Sequence, residues 1–178
     1  KMTKTEYDYI IVGAGSAGAV LANRLSESGE YKVLCLEAGT EGSGYFWSRV
    51  PIGMAKLINR PAVNWCFSSE PDEGSGGRRI PIPRGKMLGG SSSINGMVFV
   101  RGQPQDYDHW AQLGNRGWSY SDVLPIFKKM ESYDGGSNET RGRDGILRVT
   151  DEAPDICPLH DRMIAAAEKI GIPYTKDY

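Results

Sequence analysis

The sequence predicts an α/β fold organised around a βαβ unit with a parallel sheet. Residues 7–12 are rich in β-forming side chains and run directly into a glycine turn. A helical apolar pattern follows that turn, and a second β-rich run then ends at an acid. Glycine is the compositional outlier, with 23 in 178 residues against a usual ~7%. The glycines gather at 13–18, 39–44, 74–77, 85–90 and 135–145. Such clusters serve tight turns or close approach of a ligand to the backbone, so a loop-rich binding scaffold is expected.

The elements follow in order. Tyr7-Asp8-Tyr9-Ile10-Ile11-Val12 reads as a buried strand and residues 13–18 as a turn. From Ser16 the pattern is helical, with Val20, Leu21, Ala22 and Leu25 on one face and Ser28-Gly29 as the stop. Lys32-Val33-Leu34-Cys35-Leu36 is the second strand, ending at Glu37. Two strands joined through a helix require parallel pairing. Between Ala38 and Arg101, Gly, Pro and Ser punctuate the chain and no long helix is expected. Within it, residues 79–84 alternate apolar residues with proline, which predicts an extended edge segment. Residues 91–95 read as the start of a short helix running into 96–100.

Helices return after Gly102. Pro104 suits a first helical position and Gly114 the stop of a helix over 106–113. Ser119-x-x-Asp122 resembles a capping box before a helix over 123–130, which Pro125 weakens. Residues 134–143 read as a polar surface loop and 145–149 as a short strand. Residues 158–170 form an amphipathic pattern with Leu159, Met163, Ile164, Ala167 and Ile170 apolar and Gly171 at its end. No solenoid-type repeat is present. One βαβ unit does not close a doubly wound sheet, so the chain is expected to be the N-terminal portion of something larger.

Composition narrows the functional classes. Lys and Arg number 21 against 22 Asp and Glu, so the net charge of −1 gives no general attraction to nucleic acid or an anionic membrane. Hydrophobic residues at 39% suffice for a core. No run approaches the ~20 apolar residues of a transmembrane helix, and the leading residues lack the apolar stretch of a secretory signal. A cytoplasmic location is therefore expected. Cys35, Cys66 and Cys157 show no metal-ligand spacing, and their odd, sparse count fits a reducing compartment with the thiols buried. With two histidines, no His-rich metal site is expected.

Gly13-Ala14-Gly15-Ser16-Ala17-Gly18 is a GxGxxG directly after a strand and at the opening of a helix. In the Rossmann-like reading Gly13 allows the tight turn, Gly15 lets a pyrophosphate approach, and Gly18 lets the helix pack on the strand. The helix N-terminus offers free N–H groups and a positive dipole end to phosphates. Glu37 ends the second strand at the distance expected of an acid that binds ribose hydroxyls, and its charge disfavours NADP. The alternative is a glycine-rich turn with an incidental surface acid. The motif alone does not separate NAD from FAD.

The second unusual stretch is Arg84-Gly85-Lys86-Met87-Leu88-Gly89-Gly90-Ser91-Ser92-Ser93-Ile94-Asn95-Gly96-Met97-Val98. Its small residues allow close backbone approach, its serines and Asn95 supply donors and acceptors, and Arg84 and Lys86 can offset phosphate charge. A flexible linker is the alternative, although Ile94, Met97, Val98 and Phe99 argue for packing. The pair GAGSAG…LEAG and PRGKMLGGSSSINGMVFVRG resembles the glucose–methanol–choline (GMC) oxidoreductases, FAD-dependent enzymes. It is especially similar to the bacterial alcohol and choline dehydrogenase-like branch. Pro51-Ile52-Gly53, Asn64-Trp65, Asp106-Tyr107-Asp108-x-Trp110, Gly117-Trp118 and Val123-Leu124-Pro125 extend the resemblance over the chain from Tyr7 onward.

The resemblance implies FAD with its ADP half on the βαβ unit over 7–37. Gly13, Gly15, Ser16, Ala17 and Gly18 would line the pyrophosphate, and Glu37, with Ala38 beside it, would take the adenosine ribose. The run Met87 through Gly90, with Gly89, would border the flavin end, and Arg84 would belong to the cofactor-binding set. Asn95, Gly96, Met97 and Val98 would run beside the isoalloxazine, with Trp65 near it or in the core. Some members attach FAD through a histidine in this motif; the matching position here is Ile94, so non-covalent FAD is expected. The implied region boundaries are 1–102 for FAD binding, with the flavin-side motif at 84–102, and 103–178 for a helical lid and the start of a substrate-side region.

The family's reaction is oxidation of a small-molecule alcohol, by an oxidase or a dehydrogenase, with a histidine base close to the C-terminus. No catalytic residue is assigned in this chain. His109 is expected on a surface or lid and His160 in solvent. The implied partner is a C-terminal polypeptide of the same protein. Two other readings stay open: a non-catalytic flavin- or nucleotide-binding module, and an NAD-linked dehydrogenase, which leaves the second motif unexplained.

Overall fold

The structure, a computed structural model, describes residues 5–42, 45–150 and 159–175. It separates into two units, Lys1–Val98 and Phe99–Tyr178. In the first, β1 (Tyr9–Val12) pairs in parallel with β2 (Val33–Leu36), in a register running from Tyr9 opposite Val33 to Val12 opposite Leu36. Asp8 fixes the entrance to this pair: its carboxylate accepts from the Lys32 N–H at 2.7 Å and its own N–H donates to the Lys32 carbonyl at 2.9 Å. Helix α1 (Ser16–Ser26) makes the crossover. The βαβ unit expected over 7–37 is thus present.

Its burial departs from expectation. Of β1 only Ile11 is buried, while Val12 is 85% exposed and Ile10 and Leu36 are also exposed. Helix α1 turns Gly18, Ala22 and Leu25 inward, at the i, i+4, i+7 spacing of one helical face, and leaves Val20 and Leu21 exposed. The two-stranded sheet among the described residues has too little area to cover the whole apolar set. The expected burial of thiols also fails where it can be seen. Cys35, on β2, and Cys66, in a left-handed turn (φ 53°), are both exposed. Cys157 lies outside the described residues.

The core of this unit comes from the loop-rich middle of the chain. Short 3₁₀ turns at Phe46–Arg49 and Pro51–Gly53 lead into α2 (Met54–Leu57). Leu57, Val63, Met87 and Ile94 form a buried cluster against which Tyr45 packs. The expected edge segment is β4 (Pro81–Ile82), antiparallel to β3 (Phe67–Ser68). The short helix expected at 91–95 is a single 3₁₀ turn, Gly90–Ser93.

The second unit holds α3 (Pro104–Gln112) and α4 (Tyr120–Met130). Both begin on reciprocal N-terminal bonding signals. Asp106 accepts from the Gln103 N–H at 2.9 Å, and Asp122 accepts from the Ser119 N–H at 3.1 Å while Ser119 Oγ accepts in return at 3.3 Å. Helix α4 runs through Pro125, which stays exposed. β5 (Glu131–Tyr133) pairs in parallel with β6 (Leu147–Val149). The expected surface loop between them is held inward by Arg143, which donates to the carbonyls of Tyr133, of Gly135 at 2.7 Å and of Gly136 at 3.1 Å. The last element, α5 (Leu159–Lys169), leaves Leu159 and Met163 exposed, as is Ile170 just after it; the start predicted at Pro158 lies outside the described residues. Among the described residues no helix is long and apolar enough to cross a membrane.

One ion-pair network organises this unit. Glu131, with its side chain 0% exposed, accepts from Arg101 at 2.6 Å, from Arg141 at 3.1 Å and from the Gly142 N–H at 2.8 Å. Arg101 also donates to the Thr140 carbonyl at 2.5 Å and lies over the Phe127 ring. Removing one partner of such a buried cluster strands the other charges. Glu131→Gln is therefore expected to cost about 3 kcal/mol, read as a clear fall in the thermal unfolding midpoint. An unchanged midpoint would contradict this role.

Candidate functional site

The two glycine-rich segments meet. The Gly89 N–H donates to the Ala14 carbonyl at 2.8 Å and the Leu88 N–H to the Thr40 carbonyl at 2.9 Å. Gly15 and Gly89, and Thr40 and Met87, form parallel bridges. The second segment thus lies along the ends of both β1 and β2, where loops of an open α/β sheet bind ligands. The approach leaves no room for a side chain at Gly90, whose Cβ would stand 2.9 Å from Gly15 Cα. Gly18 is equally constrained, since its Cβ would stand 1.9 Å from the Gly13 carbonyl oxygen.

Helix α1 starts at this junction with an unsatisfied end. Gly15 at the N-cap supplies no side-chain cap, and the first turn carries no acid. The N–H groups of Ser16, Ala17 and Gly18 thus face an anion-favouring position with positive dipole character. Glu37 sits half-buried beside them. One carboxylate oxygen accepts from the Ala14 N–H and the other from the Gly39 N–H, each at 2.8 Å. Each oxygen keeps a lone pair, as binding of a ribose diol requires. A pyrophosphate–ribose group fits this donor and acceptor set. Ala38 follows Glu37 and is exposed.

The remaining residues singled out in the sequence divide into two kinds. Met87 and Ile94 turn inward; Ile94 is 4% exposed, in the core cluster. The serines close their own turn. Ser92 Oγ donates to the Gly89 carbonyl at 2.6 Å, Ser93 Oγ to the Leu88 carbonyl at 2.8 Å, and Ser91 Oγ accepts from the Gly85 N–H at 3.2 Å. By contrast Asn95, Gly96, Met97 and Val98 form an exposed strip, with Met97 in the left-handed region (φ 60°) and its N–H donating to Asn95 Oδ1 at 3.0 Å. A cleft of about 170 Å³ lies between residues 47–54 and Ser92, Ser93, Asn95 and Met97. Trp65 is not a core residue: it is 44% exposed, stacked on Phe67 at 5.8 Å, with Lys86 Nζ 4.6 Å from its ring centre. Arg84 is exposed.

Sequence reasoning passed over the mechanical part of Asn64. Its side chain, in a residue only 2% exposed, donates to the Ile58 carbonyl and accepts at Oδ1 from the N–H of Cys66 at 2.9 Å and of Arg84 at 2.8 Å. Its place beside Trp65 between two punctuated stretches was the only available signal. His109 lies far along the chain on exposed α3, in a hollow lined by Gly102, Gln105, Asp106, Tyr107 and Trp110; His160 is exposed on α5. Among the described residues no group of three or more His, Cys, Asp or Glu side chains could hold a metal ion.

The family model described as GMC oxidoreductase matches residues 7–178. The chain belongs to the GMC oxidoreductase family. It corresponds to the family's N-terminal, FAD-binding portion, and FAD is its cofactor. An oxygen-dependent choline dehydrogenase of Brucella anthropi is 46% identical over 173 residues, covering 97% of this chain and 31% of the relative. One of Photobacterium profundum is 46% identical over 175 residues, with 98% and 31% covered. The chain thus spans about a third of the length of these GMC relatives.

Solved structures agree with the fold. A pyridoxine 4-oxidase from Mesorbium loti superposes with a TM-score of 0.85 at 34% identity, covering 94% of this chain and 33% of that one. An FAD-dependent oxidoreductase from Chaetomium thermophilum gives 0.80 at 32% identity, with 97% and 31% covered. Within this GMC frame Gly18 offers a direct test. A methyl group there meets backbone, so α1 must lift from β1; Gly18→Ala is expected to cost about 1–3 kcal/mol and to weaken FAD binding in a fluorescence titration. Parental affinity and unfolding midpoint would contradict the packing.

Proposed function

We propose that the protein oxidises an alcohol to the aldehyde or ketone with FAD, and that this chain supplies most of the FAD cradle. The observation that carries the reading is the Gly89-to-Ala14 backbone bond, which fastens the LGGSSSIN segment to the dinucleotide turn. In this reading Gly13, Gly15, Ser16, Ala17 and Gly18 hold the pyrophosphate, and Glu37 with Ala38 holds the ribose. Met87, Gly89 and Gly90 border the flavin end through backbone, and Arg84 belongs to the same cofactor-binding set. Asn95, Gly96, Met97 and Val98 line the isoalloxazine, and Trp65 lies near it. When bound, FAD supplies a hydride acceptor at flavin N5.

The chain's own part is binding and orientation. Free N–H groups at the start of α1 offset phosphate charge. Glu37 keeps the glycine turn in place while presenting its spare lone pairs. The left-handed turn at Met97 exposes the 95–98 backbone. No residue of this chain is assigned the base that takes the hydroxyl proton; that base belongs to a C-terminal polypeptide of the same protein. The exposed Ile10, Val12, Val20, Leu21 and Leu36 favour such a covering partner over a stand-alone flavin module, which would carry charge on these faces. Residues 1–102 form the cofactor-binding region in this reading, and 103–178 a helical lid and the start of the substrate side.

Choline and pyridoxine, named for the relatives, are the first alcohols to test with the FAD-loaded, full-length protein. Turnover of an alcohol with bleaching of the flavin absorption supports the proposal; a flavin that no primary or secondary alcohol reduces contradicts it. Because the packed Ile94 carries no nucleophilic nitrogen, acid precipitation is expected to leave a colourless pellet and a yellow supernatant. A yellow pellet would mean a covalent flavin. Glu37→Ala is expected to weaken FAD binding roughly tenfold to a hundredfold, the value of a charge-assisted hydrogen bond. Equal affinity in a fluorescence titration would remove Glu37 from the ribose site.

A further inference from the structure

We infer that Asn64 is a positioning residue for the flavin-side segment: it touches no cofactor atom but sets where that segment begins. The inference rests on the FAD reading above. The segment is fastened at two ends. Its far end, at Leu88 and Gly89, is bonded to Thr40 and Ala14. Its near end is bonded to the 58–66 loop through Asn64. There Oδ1 takes the N–H of Arg84 on one strand and of Cys66 on the other, filling both acceptor positions, while the amide NH₂ donates to the Ile58 carbonyl.

Backbone bonds flank this clamp. The Trp65 N–H donates to the Arg84 carbonyl at 2.8 Å, and the Lys86 N–H to the Val63 carbonyl at 2.7 Å. Asn64 and Gly85 form an antiparallel bridge between them. The clamp also sustains a local conformation that few side chains adopt: Cys66, whose N–H it holds, lies at φ 53°. Asn64 is buried beside Val63, which is 0% exposed, so water does not replace a lost partner.

Between its two anchors the segment has little freedom. A Cβ on Gly85 would stand 2.1 Å from the Gly90 carbonyl oxygen, so its two ends are themselves in contact. A shift at Arg84 is therefore passed directly to Gly90 and to its contact with Gly15. Asn64 thereby acts on cofactor geometry through the backbone.

The test compares three variants of the full-length protein by FAD titration, flavin absorption spectrum and thermal unfolding. Asn64→Leu removes every side-chain bond and is expected to weaken FAD about tenfold or more and to shift the flavin band. Asn64→Asp keeps both acceptor contacts but loses the donor to the Ile58 carbonyl, and is expected to fall between Asn64→Leu and the parent in FAD affinity. Val123→Ala lightens the core of the second unit and is expected to lower the unfolding midpoint while leaving FAD affinity and spectrum unchanged. Should Asn64→Leu be insoluble, Asn64→Ser replaces it in the comparison, with the same expected direction. Parental affinity and spectrum in Asn64→Leu or Asn64→Ser overturn the inference. So does an equal loss in Val123→Ala, which would make the effect one of stability alone. A parent protein that binds no FAD overturns the proposed function itself, and the inference with it.

Discussion

The backbone contact between Gly15 and Gly90 is the constraint on which the first unit depends. It forces glycine at position 90, where a Cβ would stand 2.9 Å from Gly15 Cα, and brings a loop of the middle chain across the ends of β1 and β2. It also leaves the N-terminus of α1 open between two backbones without side chains. Close approach of this kind is what a phosphate-bearing ligand requires, because its charge is satisfied by N–H groups rather than by lysines. Arg84 and Lys86 are accordingly not drawn into the junction: Arg84 is exposed and Lys86 lies over Trp65.

Two polar side chains hold the contact from either side. Glu37 bridges the turn after β1 to the turn after β2, and Asn64 bridges the 58–66 loop to Arg84. Both accept from backbone N–H groups, so each fixes a loop that has no helix or strand bonds of its own. Apolar packing contributes below them through Leu57, Val63, Met87 and Ile94. The division of labour is physical. Glycines permit the approach, two acceptors fix its register, and the core cluster supports the floor. The second unit uses a different device, a fully buried glutamate shared between two arginines.

Much of this was legible in the sequence. The βαβ unit was readable because strand, turn, helix and terminal acid carry independent signals that agree. The capping box at Ser119 and Asp122 was readable for the same reason. Burial was not legible. Tyr9, Ile10 and Val12 look like a buried strand, yet a two-stranded sheet leaves them exposed, since covering depends on layers that periodicity cannot show. The serines of the second motif look like ligand donors, but local geometry turns their hydroxyls onto neighbouring backbone. Strand β5 was missed because three residues after a helix carry no period. Asn64 was noticed only as part of a family pattern, since a long-range hydrogen bond leaves no local signature.

Amide hydrogen exchange of the full-length protein, with and without FAD, tests the central claim most directly. If one cradle is built from both glycine segments, FAD slows exchange together in residues 13–18 and 87–98. Protection confined to 13–18 would contradict the account, because it would mean a nucleotide bound on the βαβ unit while the second segment takes no part.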